Sequence, residues 1–396
     1  MSTLRVDNIR HNNSTTDALV LSNDGSVAIG TCTAKLTDIN GGGLSHRNVV
    51  INGAMTISQR GNQGTTSAAG YFACDRFFIS NGSGAQVAVN QSTNKPDGFS
   101  HSLHVDCQVA DTSIANNEYF LIQHRLEGYE TARFAKGSSA AKQYALSFHL
   151  RSDKTGIYTV ELEDVDNARI CSKTINVPNT AWNRYTIIYP ADTSGAHTID
   201  NSSSLTINWW LASGSDFNSG TLQSSSWGTR TDANRASSSN VNFFDSTDND
   251  FRLTGVQLEA GSIVTPFEHR PHSEELLRCQ RYFKRFRGPV GGGGGYGSAG
   301  DGAVCTMANW SSSGAYGLLP LGVEMRYAPK LTGFANLNYF CAGNTFAPGS
   351  ASQCYLAGSS FDRVELTLQG FSMTQGHAGW LRIDNPSGYM DFDAEL

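Results

Sequence analysis

At 396 residues the chain exceeds the ~250–300 at which a single core stops growing, so two or three domains are expected. Only 16% of residues are charged and 39% hydrophobic, and 41 glycines help fill the shortfall. This favours short strands and polar turns, while the plentiful aromatics exclude a disordered chain. A net charge of −6 gives no reason to expect nucleic acid, and no stretch approaches the ~18 apolar residues of a membrane span.

Residues 1–48 open with three strand-like runs, "LRVDNI", "ALVL" and "SVAIG", the last two joined by the turn signal "SNDGS". No basic region followed by an apolar run marks a secretory signal, so folding in the cytoplasm is expected. These strands hold too few apolar residues to bury a core, so they must pair with copies of themselves or dock on another protein. "NGGGLSHR" reads as a flexible connector.

Residues 49–270 alternate with period two. Leu103, Val105 and Cys107 share one face, as do Tyr144, Leu146, Phe148 and Leu150, then Tyr158, Val160 and Leu162, then Leu205, Ile207 and Trp209. "DFRLTGVQLEAG" changes face at Gly255, as a bulge would. With "NVVINGAMTIS", "AQVAVNQ", "EYFLIQHRL" and "RYTIIYP" this makes nine strands and no helix of useful length, which predicts an antiparallel jelly-roll β-sandwich. Trp209 and Trp210 are neighbours, so one of them faces outward, either to stack on a sugar or to lie under a loop.

A short helix is expected over 271–287, with Ser273 as N-cap, Glu274 and Glu275 in the first turn, and Leu276, Cys279 and Phe283 on one face. Residues 288–301 read as a Gly-rich linker. Residues 302–396 return to strand-like runs, "AVCTMANW", "YGLLPLGVEM", "KLTGFANLNYF", "SQCYLAG", "RVELTLQGF" and "GWLRID", and predict a compact C-terminal β domain. The fold class is therefore all-β: an N-terminal β segment, a jelly-roll sandwich, one short helix and a C-terminal β domain.

Chemical signals are sparse. Glu259, Glu268, His269, His272, Glu274, Glu275 and Cys279 crowd one stretch, but without HExxH spacing or a fixed carboxylate separation, so strand-end and helix-start charges account for them. "GYGSAG" at Gly295–Gly300 matches GxGxxG but lacks a preceding strand and a following helix. Asp245, Asp248 and Asp250 form a Ca²⁺ candidate loop without EF-hand order, and a solvated turn is the favoured reading, since Asp is common in turns. The eight cysteines, Cys32, Cys74, Cys107, Cys171, Cys279, Cys305, Cys341 and Cys354, are scattered singly and read as buried thiols. No cofactor motif or catalytic motif is found. Trp310, Tyr316, Tyr339, Tyr355 and Trp380 fall in or near Gly- and Ser-rich turns, where a rigid β scaffold builds recognition surfaces.

"NVVINGAMTISQRG", "YFACDRF", "YALSFHLRS", "TGVQLEAGSIVTPFEHRPHSEELLRCQRYF" and "VEMRYAPKLT" resemble a recurring signature of tail-fibre and related virion appendage proteins of tailed bacteriophages. The N-terminal "LRVDNI" and "ALVLSNDGSVAIG" are similar to the β start of such fibres in phages of marine bacteria. The resemblance covers residues 1–330 and implies a homotrimer, attached to the virion by residues 1–48 through a tail adaptor or other virion protein, with its C-terminus toward a host-surface glycan or protein. It implies a virion tail location after assembly in host cytoplasm, a sandwich resembling a carbohydrate-binding module, and a helix packed on the three-fold axis through Leu276, Cys279 and Phe283. The expected role is host attachment without catalysis. The alternatives are a capsid or neck fibre, or a tailspike-like depolymerase using Glu161, Glu163 and Asp164; against the last, no long β-helix or propeller period is present.

Overall fold

The computed structural model describes residues 46–288, 302–383 and 386–396, together with the backbone of three strands before residue 46. Cys32, the "SNDGS" turn, "GYGSAG" and most of the Gly-rich linker lie outside the described residues. Near the N-terminus β1 (Asn8–Ile9), β2 (Leu19–Leu21) and β3 (Val27–Ile29) form an antiparallel sheet in sequence order.

The sandwich begins with β4 (Gln63–Thr66), β5 (Gly70–Tyr71), β6 (Phe77–Asn81), β7 (Gln86–Ser92), β8 (Ser102–Val109) and β9 (Tyr119–Glu127). It continues with β10 (Tyr144–Ser152), β11 (Gly156–Asp164), β12 (Arg169–Val177) and β13 (Asn183–Tyr189). β14 (Ser203–Ser213), β15 (Gly228–Thr229) and β16 (Asp250–Ala260) complete it. Two antiparallel sheets result, one ordered β13-β10-β16-β8-β7-β4 and the other β15-β12-β11-β14-β9-β6-β5. The alternating apolar residues meet between them: Phe77, Phe120, Phe148, Leu162, Ile207, Trp209 and Leu253 are all buried there. The jelly-roll-type all-β sandwich is therefore present.

Two local expectations fail for clear reasons. "NVVINGAMTIS" is no strand, although Val49, Val50, Ile51, Met55 and Ile57 are buried. Asn52 and Met55 take positive φ, which breaks a ladder, and the Asn48 and Asn52 side chains supply the missing hydrogen bonds. In its place "RICSKTINV" forms β12, an uneven pattern that alternation overlooked. Gly255 does mark the bulge. It has φ +63, and a side chain there would meet His149 and Phe99.

The helix spans only His272–Gln280, begins after Pro271 without a side-chain cap from Ser273, and gives way to strand β17 (Phe283–Arg287). The remaining strands are β18 (Gly302–Asn309), β19 (Gly314–Pro320), β20 (Lys330–Ala335), β21 (Leu337–Cys341) and β22 (Asn344–Phe346). After them come β23 (Cys354–Ser359), β24 (Arg363–Gln369), β25 (Ala378–Ile383) and β26 (Tyr389–Asp393). One sheet runs β17-β26-β20, the other β22-β21-β25-β18-β19-β24-β23, and Leu319, Leu366, Leu381 and Phe392 fill the core they share. The C-terminal unit thus starts at Phe283 and not at 302, because β17 supplies an outer strand of its smaller sheet.

That unit is fastened to the sandwich by buried ion pairs. Glu395 sits between Arg60 and Arg76, Arg125 and Tyr71 donate to the Leu396 main-chain oxygen, and Arg326 exchanges hydrogen bonds with Asn201 of the sandwich. On the helix side, Arg281 makes a two-pronged pair with Glu127 at 2.7 and 2.9 Å. A tip swinging on a Gly-rich tether is not what these residues build.

Candidate functional site

The outer face of the larger C-terminal sheet gathers the exposed aromatic candidates. In β18, β19, β24 and β25 the residues facing away from the core include Ala303, Thr306, Ala308, Tyr316, Leu318, Glu365, Ala378 and Trp380, all exposed, with Thr367 buried among them. Register places them in rows. Trp380 lies opposite Thr306, and Ala378 opposite Ala308; Ala308 pairs with Tyr316, Tyr316 with Thr367, and Thr367 with Tyr355. Large side chains therefore stand on β25 and β19 with small ones on β18 between them, while β24 adds Glu365 and Thr367 before Tyr355 on β23. Ridges on β25, β19 and β23 are separated by roughly 9.5 Å, twice the interstrand spacing.

Between the ridges on β25 and β19 runs a trough along β18. Its floor is Thr306 and Ala308, its walls are Trp380 on one side and Tyr316 with Leu318 on the other. Trp310, one residue past the end of β18, closes the hairpin end. It stacks over Gly314, and its carbonyl accepts from Gln375 at 3.2 Å. The exposures of Trp310 (52%), Tyr316 (47%), Leu318 (55%) and Trp380 (54%) are large for such side chains. At the far side of Trp380, Phe340 lies beneath the Arg382 guanidinium, 3.8 Å from its ring centre. A cavity of about 560 Å³ opens between β20 and β23, lined in part by Lys330, Phe334, Ser350 and Tyr355. Tyr355 thus faces both the trough side of the sheet and this cavity's rim.

Of the five predicted recognition aromatics, Trp310, Tyr316 and Trp380 come together here and Tyr355 borders them. Tyr339 does not. It is fully buried, its hydroxyl bonding Asn309 Oδ1 at 2.7 Å, because its position on β21 is core-facing. Leu318 and Thr306 were missed; the signal was the alternation itself, which places an aliphatic and a hydroxyl beside the aromatics.

The other candidates resolve into structural roles. Cys279 and Phe283 are buried within the chain and Leu276 packs with Cys279, Ile51, Ile57 and Tyr282, so this face is spent inside one chain and is not free for a three-fold axis. Phe283 moreover belongs to β17. The Ca²⁺ candidates do not converge: Lys154 pairs with Asp245, His104 and Arg252 pair with Asp250, and Asp248 is exposed. Glu259 accepts from Thr265, Glu268 from the Asn48 amide and Glu275 from the Asn52 amide, so the crowded stretch is a joint.

Glu161 and Glu163 sit on the outer face of the sandwich's larger sheet, but Arg235 bonds both, at 2.8 and 2.9 Å, under the loop that carries it. Glu161 is fully buried and Asn208 Nδ2 completes its shell at 2.8 Å. Burial opposes the Arg235 charge, yet these carboxylates hold its pKa above the ordinary value. Asp164 points elsewhere, to Lys136. The three carboxylates therefore do not form an open catalytic pair. Trp210, the outward member of its pair, is covered by Phe217, Ala236 and Arg235. All seven described cysteines are free; burial raises the Cys305 and Cys354 thiols to about 12, which leaves them unreactive near neutrality. Among the described residues no helix is long and apolar enough to cross a membrane.

No family model and no curated protein matches the chain. Among solved structures, similarity is found to a CBM4 structure, at 13% identity and TM-score 0.29, covering 53% of this chain and 99% of that one. It extends to the family 11 carbohydrate-binding module of a Clostridium thermocellum cellulosomal cellulase, at 12% identity and TM-score 0.26, covering 53% and 99%. The enzymatically active domain of bacteriophage CBA120 tailspike protein 4 is similar at 12% identity and TM-score 0.28, covering 54% of this chain and 21% of that one. This chain thus spans about a fifth of the tailspike structure. For the present protein, function has to be read from its own side chains.

Proposed function

We propose that this chain is a non-catalytic virion appendage of tail-fibre type that attaches to the host surface by binding a glycan in the β18 trough. The observation that supports the reading is the corrugated outer face, where Trp380, Tyr316 and Leu318 stand exposed on either side of Thr306 and Ala308. Pyranose rings present C–H faces that pack on aromatic rings and hydroxyls that bond to Thr and amide groups, so an aromatic-walled trough with a small polar floor suits them. The trough itself is lined by Thr306, Ala308, Tyr316, Leu318 and Trp380 without a charged side chain, which argues against nucleic acid. The segments resembling tail fibres, apart from "YALSFHLRS" in β10, meet at the joint that carries the C-terminal unit, and the contact with a virion partner or other copies is assigned to residues 1–48.

The test is binding of the full chain to a glycan array and to host cells, with Trp380→Ala and Tyr316→Ala compared. Loss of an anchoring aromatic is expected to weaken binding about 30-fold, near 2 kcal/mol. If both variants bind as the parent does, the trough is not the site. Release of reducing ends from a bound polysaccharide would favour the depolymerase reading.

A further inference from the structure

At one end of the sandwich the Lys136 side chain is wholly buried, and its ammonium is surrounded by oxygen. It donates to the carbonyls of Ser194 and Gly195 at 2.8 and 2.6 Å, and pairs with Asp164 at 2.5 Å and Asp192 at 3.1 Å. Two carbonyls and two carboxylates around one point form the donor set of a hard cation such as Ca²⁺. Further groups stand close by. Arg169 holds Asp192 from the outside, and His197 Nδ1 lies 3.6 Å from Asp164 and 3.5 Å from Asp166, its buried Nε2 without a partner. The backbone is shaped around the charge: Gly137 has φ +80 and donates its amide to the Asp192 carbonyl, and Gly195 has φ +67.

We propose that this cage is a divalent-cation site whose resident cation is the Lys136 ammonium, so that removing the amine opens a Ca²⁺ site. The amine's tether makes the cation permanent, and the loop it closes, residues 190–202, carries Asn201, which exchanges hydrogen bonds with Arg326 of the C-terminal unit. The caged charge therefore stands behind the joint that presents the trough, in a place where an external ion would otherwise leave stability dependent on calcium.

Thermal unfolding of the full chain tests this. The parent is expected to melt at the same temperature in EDTA and in millimolar Ca²⁺. Lys136→Ala is expected to melt roughly 10 °C lower in EDTA, as when a buried pair loses one partner, and to recover at least half of that in Ca²⁺. Equal Ca²⁺ shifts in parent and variant, or no recovery, would overturn the proposal. Should Lys136→Ala not fold, acetylation of the native parent decides: exposed Lys95 and Lys330 are expected to react and Lys136 to be spared at least 100-fold. Reaction of Lys136 at the rate of Lys95 would show that the ammonium does not reside in the cage.

Discussion

The larger sheet of the sandwich and the larger sheet of the C-terminal unit each have seven strands, and their outer faces have opposite fates. On the sandwich, outward-facing Glu161, Asn208, Trp210 and Gln123 are buried because the loop bearing Phe217 and Arg235 lies across them. The sandwich's other sheet is covered too. Phe99 and Phe267 come from segments laid over it, and Gln257 bonds to Thr265 and Pro266. On the C-terminal unit no described residue crosses β18, β19 and β25, so Tyr316, Leu318 and Trp380 meet solvent. A long loop converts a sheet face into interior; short hairpins leave it as surface. Polar groups on the first face were drawn into ion pairs, and aromatics on the second remain available for a ligand.

Breaking the covered face should have the largest effect. Arg235→Ala leaves Glu161 buried without a counter-charge, while Glu163 keeps Arg230, and a loss of about 4 kcal/mol is expected in denaturant unfolding, with glycan binding by surviving folded protein unchanged. Glu395→Ala should cost about 3 kcal/mol by stranding Arg76, which is 1% exposed, and should split unfolding into two transitions as the C-terminal unit comes loose. Expressed alone, residues 302–396 should fail to fold, whereas 282–396, which restores β17 against β26, should give dispersed amide resonances.

A smaller effect separates the units by pH. Burial works against ionised Asp164, but His197 and Lys136 outweigh it and keep its pKa below the ordinary value; Asp192 is held down likewise by Arg169, Ser194 and Lys136 against its burial. A depressed carboxylate contributes stability that is complete above its unfolded pKa of ~3.9 and is lost as pH falls through the lower folded value. The melting temperature should accordingly drop below pH ~4, and less steeply in Asp192→Asn. Equal slopes in parent and variant would remove Asp192 from that account. Smallest of all should be the stability change in Trp380→Ala, within ~0.5 kcal/mol by the same unfolding assay, since an exposed side chain has little packing to lose.

Much of this was legible in the chain. Period-two alternation located most strands, showed Gly255 as a bulge and placed Trp310, Tyr316 and Trp380 near turns. The joint reading of the 255–283 stretch agrees with the contacts of its carboxylates: Glu268 and Glu275 accept from Asn48 and Asn52, and Glu259 from Thr265 within the stretch. What alternation could not show was which apolar runs lack ladders, as at Val49–Ile57, where asparagine side chains take over the hydrogen bonding. It also placed Phe283 on a helix, since a short run of Phe, Lys and Arg fits helix or strand until a partner strand is known.

Sequence by itself determined the all-β class and which side chains lie on opposite faces of each strand, because side-chain direction follows locally from the backbone. Only the tertiary structure decided which faces stay open and which charges are neutralised. Arg76 and Glu395 are 319 residues apart, and Arg235 and Glu161 are 74 apart. Such pairs form only when distant loops are laid over a sheet, and no local pattern encodes where a loop will land.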